Sequence, residues 1–297
     1  MSRRKKFPLR INFRLFFRVL ALVASFVSIE YLYTTVIEPR AQEAAIKEEI
    51  LSEDDPEASG QTRRSLPVIL KDTEQQICMS LLLWSFILLI EKYLFLNGEK
   101  RMLRYSFINL SRGERVIPGN ALNYYRDIRS EVENRRSLRN KLLPQFLLNG
   151  LHRFHSTHSI SAVSEAVQQE SELASEQMDS DLALIRYIGW AIPSIGFIGT
   201  VRGIGEALAQ AEQAIEGDIS GVTNSLGLAF NSTLVALLFS IILTFFVYML
   251  QSAQDNFILR AGRYCQENLM NAMKVPVVGA EAPAATPENE PLARTLG

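Results

Sequence analysis

The chain has 297 residues, 47% of them hydrophobic, and a formal net charge of −1. The length alone would allow one or two domains. However, the apolar residues are blocked into long runs instead of being spread as in a soluble core, which points to a membrane protein. The two cysteines, Cys78 and Cys265, are far apart and follow no metal or redox spacing, so both read as structural and no disulfide framework is expected.

The first 14 residues carry six basic side chains and no acidic one. They lead into a first apolar run, 15–33 (LFFRVLALVASFVSIEYLY), long enough for the ~20 residues a helix needs to cross the hydrocarbon core. Arg18 lies one turn in and can snorkel to the headgroups. A cleaved signal peptide is the rival reading, but no small-x-small site follows the run, so a retained anchor is expected. Residues 34–76 hold ten acidic against five basic residues and include SEDDPEASGQTRRS, the composition of a loop that is flexible at its centre.

The second span is expected at 77–96 (ICMSLLLWSFILLIEKYLFL). Residues 97–183 are rich in arginine and read as a helical cytoplasmic domain. From Ser159 to Tyr187 there is neither Pro nor Gly, so one helix should run into the third span, 184–208. A loop at 209–225 carries Glu212, Glu216 and Asp218. The fourth and most hydrophobic span follows at 226–250, then an amphipathic helical extension at 251–274 and a Pro- and Ala-rich tail, 275–297, expected to be disordered. Basic residues flank alternate loops, so the positive-inside rule sets the pattern in, out, in, out, in. Both termini and the long middle segment are expected in the cytoplasm, and 34–76 and 209–225 on the periplasmic side. The expected fold is therefore an all-α membrane protein of four transmembrane helices with long cytoplasmic helical extensions.

Soluble chemistry is sparse. His152, His155 and His158 are spaced three apart, but His158 lies about a third of a turn round from His152 and no Cys or carboxylate completes a metal set. A solvated helix face is the better reading. GTVRGIGEA lacks the P-loop lysine and does not follow a strand. No Ser/His/Asp arrangement is visible, so no catalytic residue, enzyme activity, metal or cofactor is expected. The basic middle segment is accounted for by the positive-inside bias, and no nucleic-acid partner is expected.

The third span holds the most unusual composition. Gly189, Gly196 and Gly203 are seven apart, and Gly199 makes a GxxxG step with Gly203. Small residues let helices approach closely in lipid, where there is little hydrophobic drive between them. Pro193 can bend or loosen the helix just before the stripe. Arg202 and Glu206 stand at i and i+4 and can pair along one face. One charge at mid-span costs ~2.5–3.5 kcal/mol on insertion scales, so the pair should face protein or water, or lie near the outer end of the helix. It reads as a structural interface pair or as part of an ion entry path. In the fourth span, LAFNSTLVALLFS sets Asn231, Ser232 and Thr233 in an otherwise apolar helix. Three consecutive polar residues cover too wide an arc for back-bonding to their own helix to explain them all. Thr200 in the third span is their natural partner.

At these residues the chain resembles the MotA/TolQ/ExbB proton-channel family. IPSIGFIGTVRGI is similar to that family's third-span motif, a Pro followed by G-x-x-GTV-x-G, matched by Pro193, Gly196, Gly199, Thr200 and Gly203. AFNSTLVALLFSII is similar to its A-L-x-x-T-A-x-G-L segment, with Ala229 and Thr233 in register. Phe230 and Ala236 stand where Leu and Gly are usual, and Arg202 replaces an apolar or aromatic residue. The likeness spans roughly 182–250. It implies a homopentameric ring in the bacterial inner membrane around a pair of single-span partner helices of the MotB/TolR/ExbD type. The partner's aspartate would take up and release the ion, H+ or Na+. Thr200 and Thr233, with Asn231 and Ser232 beside them, would then face the ion pathway. Besides the partner, only further copies of the chain and membrane lipid are expected as contacts.

The four spans themselves show no plausible carrier carboxylate at mid-depth: Glu30 and Glu91 sit at span ends and Glu206 has its own arginine. Four spans with a large insert fit a flagellar-stator plan, whereas the GTV motif is more like TolQ and ExbB. A phage-defence motor usually has a longer cytoplasmic tail. Nothing assigns Arg112, Glu114 or Arg115 to a rotor contact. The reading from a different class is a non-conducting scaffold that oligomerises through its glycine stripe. A transporter with its own substrate site would need more spans or a path built by the ring.

Overall fold

The computed structural model describes residues 9–44, 46, 70, 72–108, 115–135, 138–215 and 217–275, with side chains from residue 15 onward. The first eight residues of the basic N-terminus, the centre of the 34–76 loop, Arg112, Glu114 and the tail beyond 275 lie outside the described residues. Among those described, the regular elements are helices, with one isolated parallel bridge between Val116 and Met273. In chain order they are α1 (Leu9–Leu32), a π turn (Tyr33–Ile37), α2 (Thr73–Met102), α3 (Ala121–Asn134), α4 (Leu142–Thr157), α5 (Ile160–Ala209), α6 (Ala211–Ile215), α7 (Ser220–Asn268) and a 3-10 turn (Met270–Ala272).

Four helices are long and apolar enough to cross a membrane: Leu15–Ala44, Thr73–Met102, Ile160–Ala209 and Ser220–Ala272. They coincide with the four apolar runs of the sequence but extend beyond them. The first continues past residue 33 through the π turn. There the Thr34 and Thr35 hydroxyls bond back to Tyr31 O at 3.2 and 2.6 Å, filling carbonyl valence where the ladder changes step. The second starts at Thr73, four residues before its apolar run. At 1.5 Å per residue, the 50 residues of α5 measure about 75 Å, far more than the ~30 Å of hydrocarbon. Pro193 is accommodated inside this helix.

The chain divides into two compact units. The first comprises residues 1–104 and 172–260. Within it α1 packs on α2 through Ile29, Tyr33 and Ile37, joined by Met79 and Leu83. Trp84 Nε1 donates to Arg18 O at 3.0 Å. The buried Lys92 ammonium lies 2.6 Å from Asp181, which also faces Arg18 at 4.0 Å, so one carboxylate ties α1, α2 and α5. Phe86 of α2 meets Phe246 of α7 edge-on. The outward faces stay apolar, with Trp190, Phe197, Phe230, Ile241 and Phe245 all exposed, as a lipid or protein environment demands. Asp218 accepts from the backbone N–H of Ser220 at 3.0 Å and from its hydroxyl, which holds its carboxyl below the usual range at the start of α7.

The second unit, residues 105–171 and 261–297, has a core of Phe146, Leu147, Leu151, Phe154, Val163 and Leu269. Lys274 N donates to Val116 O and Val116 N to Ala272 O, which holds the residues after α7 against the segment before α3. Tyr264 OH donates to Tyr105 O at 2.8 Å. His155 Nδ1 lies 3.0 Å from Pro118 O, the His152 ring sits near Tyr125, and His158 ends α4 in the left-handed region at φ 54°. Among the described residues no group of three metal-ligating side chains forms.

Candidate functional site

The glycine stripe of α5 is filled by α7 of the same chain. A Cβ at Gly196 would sit 2.4 Å from Ala236 Cβ and 3.0 Å from Ser232 O. One at Gly203 would sit 2.8 Å from Ala229 Cβ and 2.9 Å from Ser225 O. Backbone therefore touches side chain with no room between, the geometry that small residues permit in membranes. Gly189 differs: a Cβ there would meet Leu243 and Thr244 at 3.8 Å, an ordinary contact. At that level the α5–α7 seam opens into a groove of about 430 Å³ lined by Ile185, Gly189, Trp190, Leu243, Val247 and Tyr248.

Pro193 has no N–H, so the carbonyl four residues earlier, that of Gly189, loses its helical donor. Ser240 of α7 replaces it: its Oγ donates to Gly189 O at 2.8 Å. A proline in the third span and a serine in the fourth are thus two halves of one hydrogen-bond exchange.

The seam between the two tight glycines holds the hydroxyls. Thr200 Oγ1 and Thr233 Oγ1 are hydrogen-bonded to each other. Thr200 Oγ1 also lies 3.0 Å from Ala229 O, and Thr233 Oγ1 lies 3.1 Å from Gly196 O. Two hydroxyl protons face four contacts, the fourth being Thr200 Oγ1 to Gly196 O at 3.4 Å. Either Thr233 donates to Thr200 while Thr200 donates to Ala229 O or Gly196 O, or Thr200 donates to Thr233 while Thr233 donates to Gly196 O. The bond between the two hydroxyls can therefore run in either direction on one set of heavy atoms.

The three consecutive polar residues of α7 diverge, as a 100° step per residue requires. Thr233 faces α5. Ser232, buried, donates to Leu228 O at 3.0 Å and accepts from Gln75 Nε2 of α2 at 3.4 Å. Asn231 is half-buried, and its Nδ2 is buried without a hydrogen-bond partner.

Arg202 and Glu206 form the expected i, i+4 pair at 3.6 Å. Arg202 also makes a shorter contact, 3.1 Å, to Glu74 of α2. Sequence reasoning places Glu74 and Gln75 at the end of the 34–76 loop, yet they lie in the first turn of α2 and are buried. Glu74 lies over Gly199, whose missing Cβ would be 3.2 Å from Glu74 Cγ and 2.9 Å from Ser232 Oγ. The signal that could have placed them is Glu74 itself, an acid at the N-terminal end of an apolar helix, where the helix dipole favours negative charge.

Residues 138–262 match the sequence model of the MotA/TolQ/ExbB proton channel family. The match takes in α4, all of α5 and α7 as far as 262, so the resemblance drawn from the third and fourth spans holds over a longer stretch than those spans. It stops short of α1 and α2, and with them of Glu74 and Gln75. No curated protein matches the chain.

Proposed function

We propose that the chain, matched over its third and fourth spans to a proton channel family, is the ring subunit of an ion-driven membrane motor. Five copies surround the paired helices of a single-span partner of the MotB/TolR/ExbD type, whose aspartate carries the ion. The ring lies in the bacterial inner membrane with both termini in the cytoplasm and the Glu74–Arg202 end of the bundle outward. The observation that carries this reading is the Thr200–Thr233 hydroxyl pair, set in the α5–α7 seam inside the matched segment. A threonine hydroxyl that turns its proton away from a backbone carbonyl can donate to a charged carboxyl group, and its lone pair can accept from a protonated one.

The cycle follows from the cost of a bare charge in lipid. An ion entering from outside neutralises the partner's aspartate, the partner turns against the ring, and the ion leaves to the cytoplasm. Each charge crossing 100 mV supplies ~2.3 kcal/mol, enough to bias steps between existing states but not to break a strong interface. The load lies on the partner's outer domain. The scaffold alternative relied on the glycine stripe as an oligomerisation surface. Gly196, Gly199 and Gly203 are instead covered within the subunit, which removes its main support.

The test is ion flux. The chain is co-expressed with its single-span partner, and cytoplasmic pH is followed for the native protein and for Thr200→Val with Thr233→Val at matched membrane levels. Partner-dependent flux that disappears in the double variant supports the motor. Unchanged flux in the double variant refutes the role of the hydroxyl pair.

A further inference from the structure

One carboxylate in the membrane bundle serves two cations. Asp181 of α5 has the Lys92 ammonium of α2 2.6 Å from Oδ2 and the Arg18 guanidinium of α1 4.0 Å from Oδ1. The shorter contact is a hydrogen bond from Lys92, whose side chain is only 7% exposed. The longer one is beyond hydrogen-bond reach, so the five N–H donors of Arg18 are not used up by its ion partner. Fully ionised, the three groups carry one surplus positive charge, and Arg18 bears it. Glu91 follows Lys92 backwards by one residue on α2 but is turned about 100° from it, and neither cation has it as an ion-pair partner. A surplus charge at the edge of lipid is costly unless an anion joins it.

The backbone shows which way the guanidinium runs. Arg18 O accepts from Trp84, yet the side chain reaches the carboxylate held by Lys92, about 12 Å further along α2. It leans back toward the N-terminus of α1, as helical side chains do. More basic residues lie that way: Arg10 and Arg14 precede Arg18 at intervals of four, on one face of the helix. Exposed aromatic residues mark the same end of the bundle, Tyr93 next to Lys92, with Tyr187 and Trp190 on α5 and Tyr248 on α7. Such rings gather at a membrane–water interface. The crevice lined by Arg18, Leu88, Lys92, Asp181, Leu184 and Ile185 is too narrow to admit a molecule. A ligand therefore meets the site at its mouth, where the Arg18 side chain is 27% exposed.

We infer that Arg18, backed by Lys92 and Asp181, binds the phosphodiester of an anionic phospholipid in the leaflet around the N-terminal end of α1. The planar guanidinium matches two phosphate oxygens with parallel N–H donors. Lys92 keeps Asp181 engaged, so the carboxylate does not claim that fork. Leu15, Phe16 and Val19, all exposed on α1, give the acyl chains an apolar surface beside it. A zwitterionic lipid carries the same phosphate with its own cation attached, so a net-anionic headgroup is preferred. That this leaflet is the cytoplasmic one rests on the orientation proposed above; the site does not.

The test is lipid binding by the purified full-length chain in uncharged detergent micelles. Native mass spectrometry follows it as phosphatidylglycerol or phosphatidylcholine is titrated in. Arg18→Gln removes the fork. Arg186→Gln makes the same change in net charge at an arginine already held by Asp179 through contacts of 2.7 and 2.8 Å. Phosphatidylglycerol is expected to bind more tightly than phosphatidylcholine. Arg18→Gln should weaken it at least about fivefold, the weight of one basic residue at an anionic surface, and Arg186→Gln less than about twofold. Arg18→Lys, which keeps the charge without the fork, should fall between native and Arg18→Gln.

Equal binding of the two lipids, or equal weakening by Arg18→Gln and Arg186→Gln, overturns the site in favour of diffuse attraction. Phosphatidylglycerol binding that Arg18→Gln leaves unchanged overturns it as well. Inorganic phosphate in large excess should not displace the lipid; displacement overturns the lipid assignment in favour of a free-phosphate site. Thermal unfolding without lipid checks that the variants fold. Should Arg18→Gln fail there, Arg18→Lys decides: native affinity in that variant overturns the role of the fork.

Discussion

Ser240→Ala removes the one donor that, among the described residues, reaches the carbonyl orphaned by Pro193. An unsatisfied buried carbonyl costs about 1–3 kcal/mol. Inter-helix hydrogen bonds in membrane proteins average nearer ~0.6 and reach ~1.7, because the unfolded chain in lipid finds other partners. Gly189 O cannot recover a bond from its own helix while residue 193 is proline, so the cost belongs at the upper end, about 1–1.5 kcal/mol. Pro193→Ala returns the missing N–H. In that background Ser240→Ala should cost less than about 0.5 kcal/mol, giving a coupling of roughly 1 kcal/mol in the double-mutant cycle. Unfolding of the four proteins in mixed detergent micelles, followed by tryptophan fluorescence, measures it; the chain has two tryptophans, one of them Trp190 in α5. An equal loss from Ser240→Ala in both backgrounds, or none in the native one, would refute the exchange.

The glycines of the stripe should separate in the same assay. Gly196→Ala forces a methyl to 2.4 Å from Ala236 and is expected to cost about 1–3 kcal/mol, whereas Gly189→Ala has ordinary room and should gain up to about 1 kcal/mol from helix propensity. Cys265 is fully buried, and burial pushes its thiol up to about 12 from 9.0. In a Cys78→Ala background it should resist maleimide at pH 8 until the protein unfolds. Because the folded thiol holds its proton more tightly than the unfolded one, its contribution to stability is intact below pH 9 and falls as pH rises from 9 towards 12. Cys265→Ala should flatten that slope of stability against pH, measured by denaturant unfolding.

Local patterns in the sequence carried much of this architecture. Runs of apolar residues marked the four spans, and a proline-free, glycine-free stretch marked the helix that leads into the third. The Arg202–Glu206 pair was legible because i, i+4 is a property of one helix. What sequence spacing hid depends on register between helices. Gly189, Gly196 and Gly203 share a seven-residue spacing, but a straight α-helix drifts about 20° per heptad, so the far member turns off the face that the other two present. Nothing in the sequence marks the role of Ser240, because its height against Gly189 is set by how the two helices pack. Glu74 and Gln75 were obscured by composition: an acidic loop precedes them, so the one local signal, an acid in the first turn of an apolar helix, is lost among its neighbours. Thr200 is legible as the polar partner of the run Asn231, Ser232 and Thr233 as a whole, and the register between the helices selects Thr233 from the three.

The uneven seam between α5 and α7 has a mechanical consequence. Around Gly196, Gly199 and Gly203 the two helices touch without slack and act as one stiff bar. Around Gly189 they are held by the Ser240 bond on one side and by Gln251 to Asp179 at 3.3 Å on the other, with the groove between these ties. Stiff and compliant segments in series do not share a load equally; the deformation gathers in the soft one. A bending force on the pair is therefore absorbed near the groove, while the hydroxyls of Thr200 and Thr233 keep their spacing to each other.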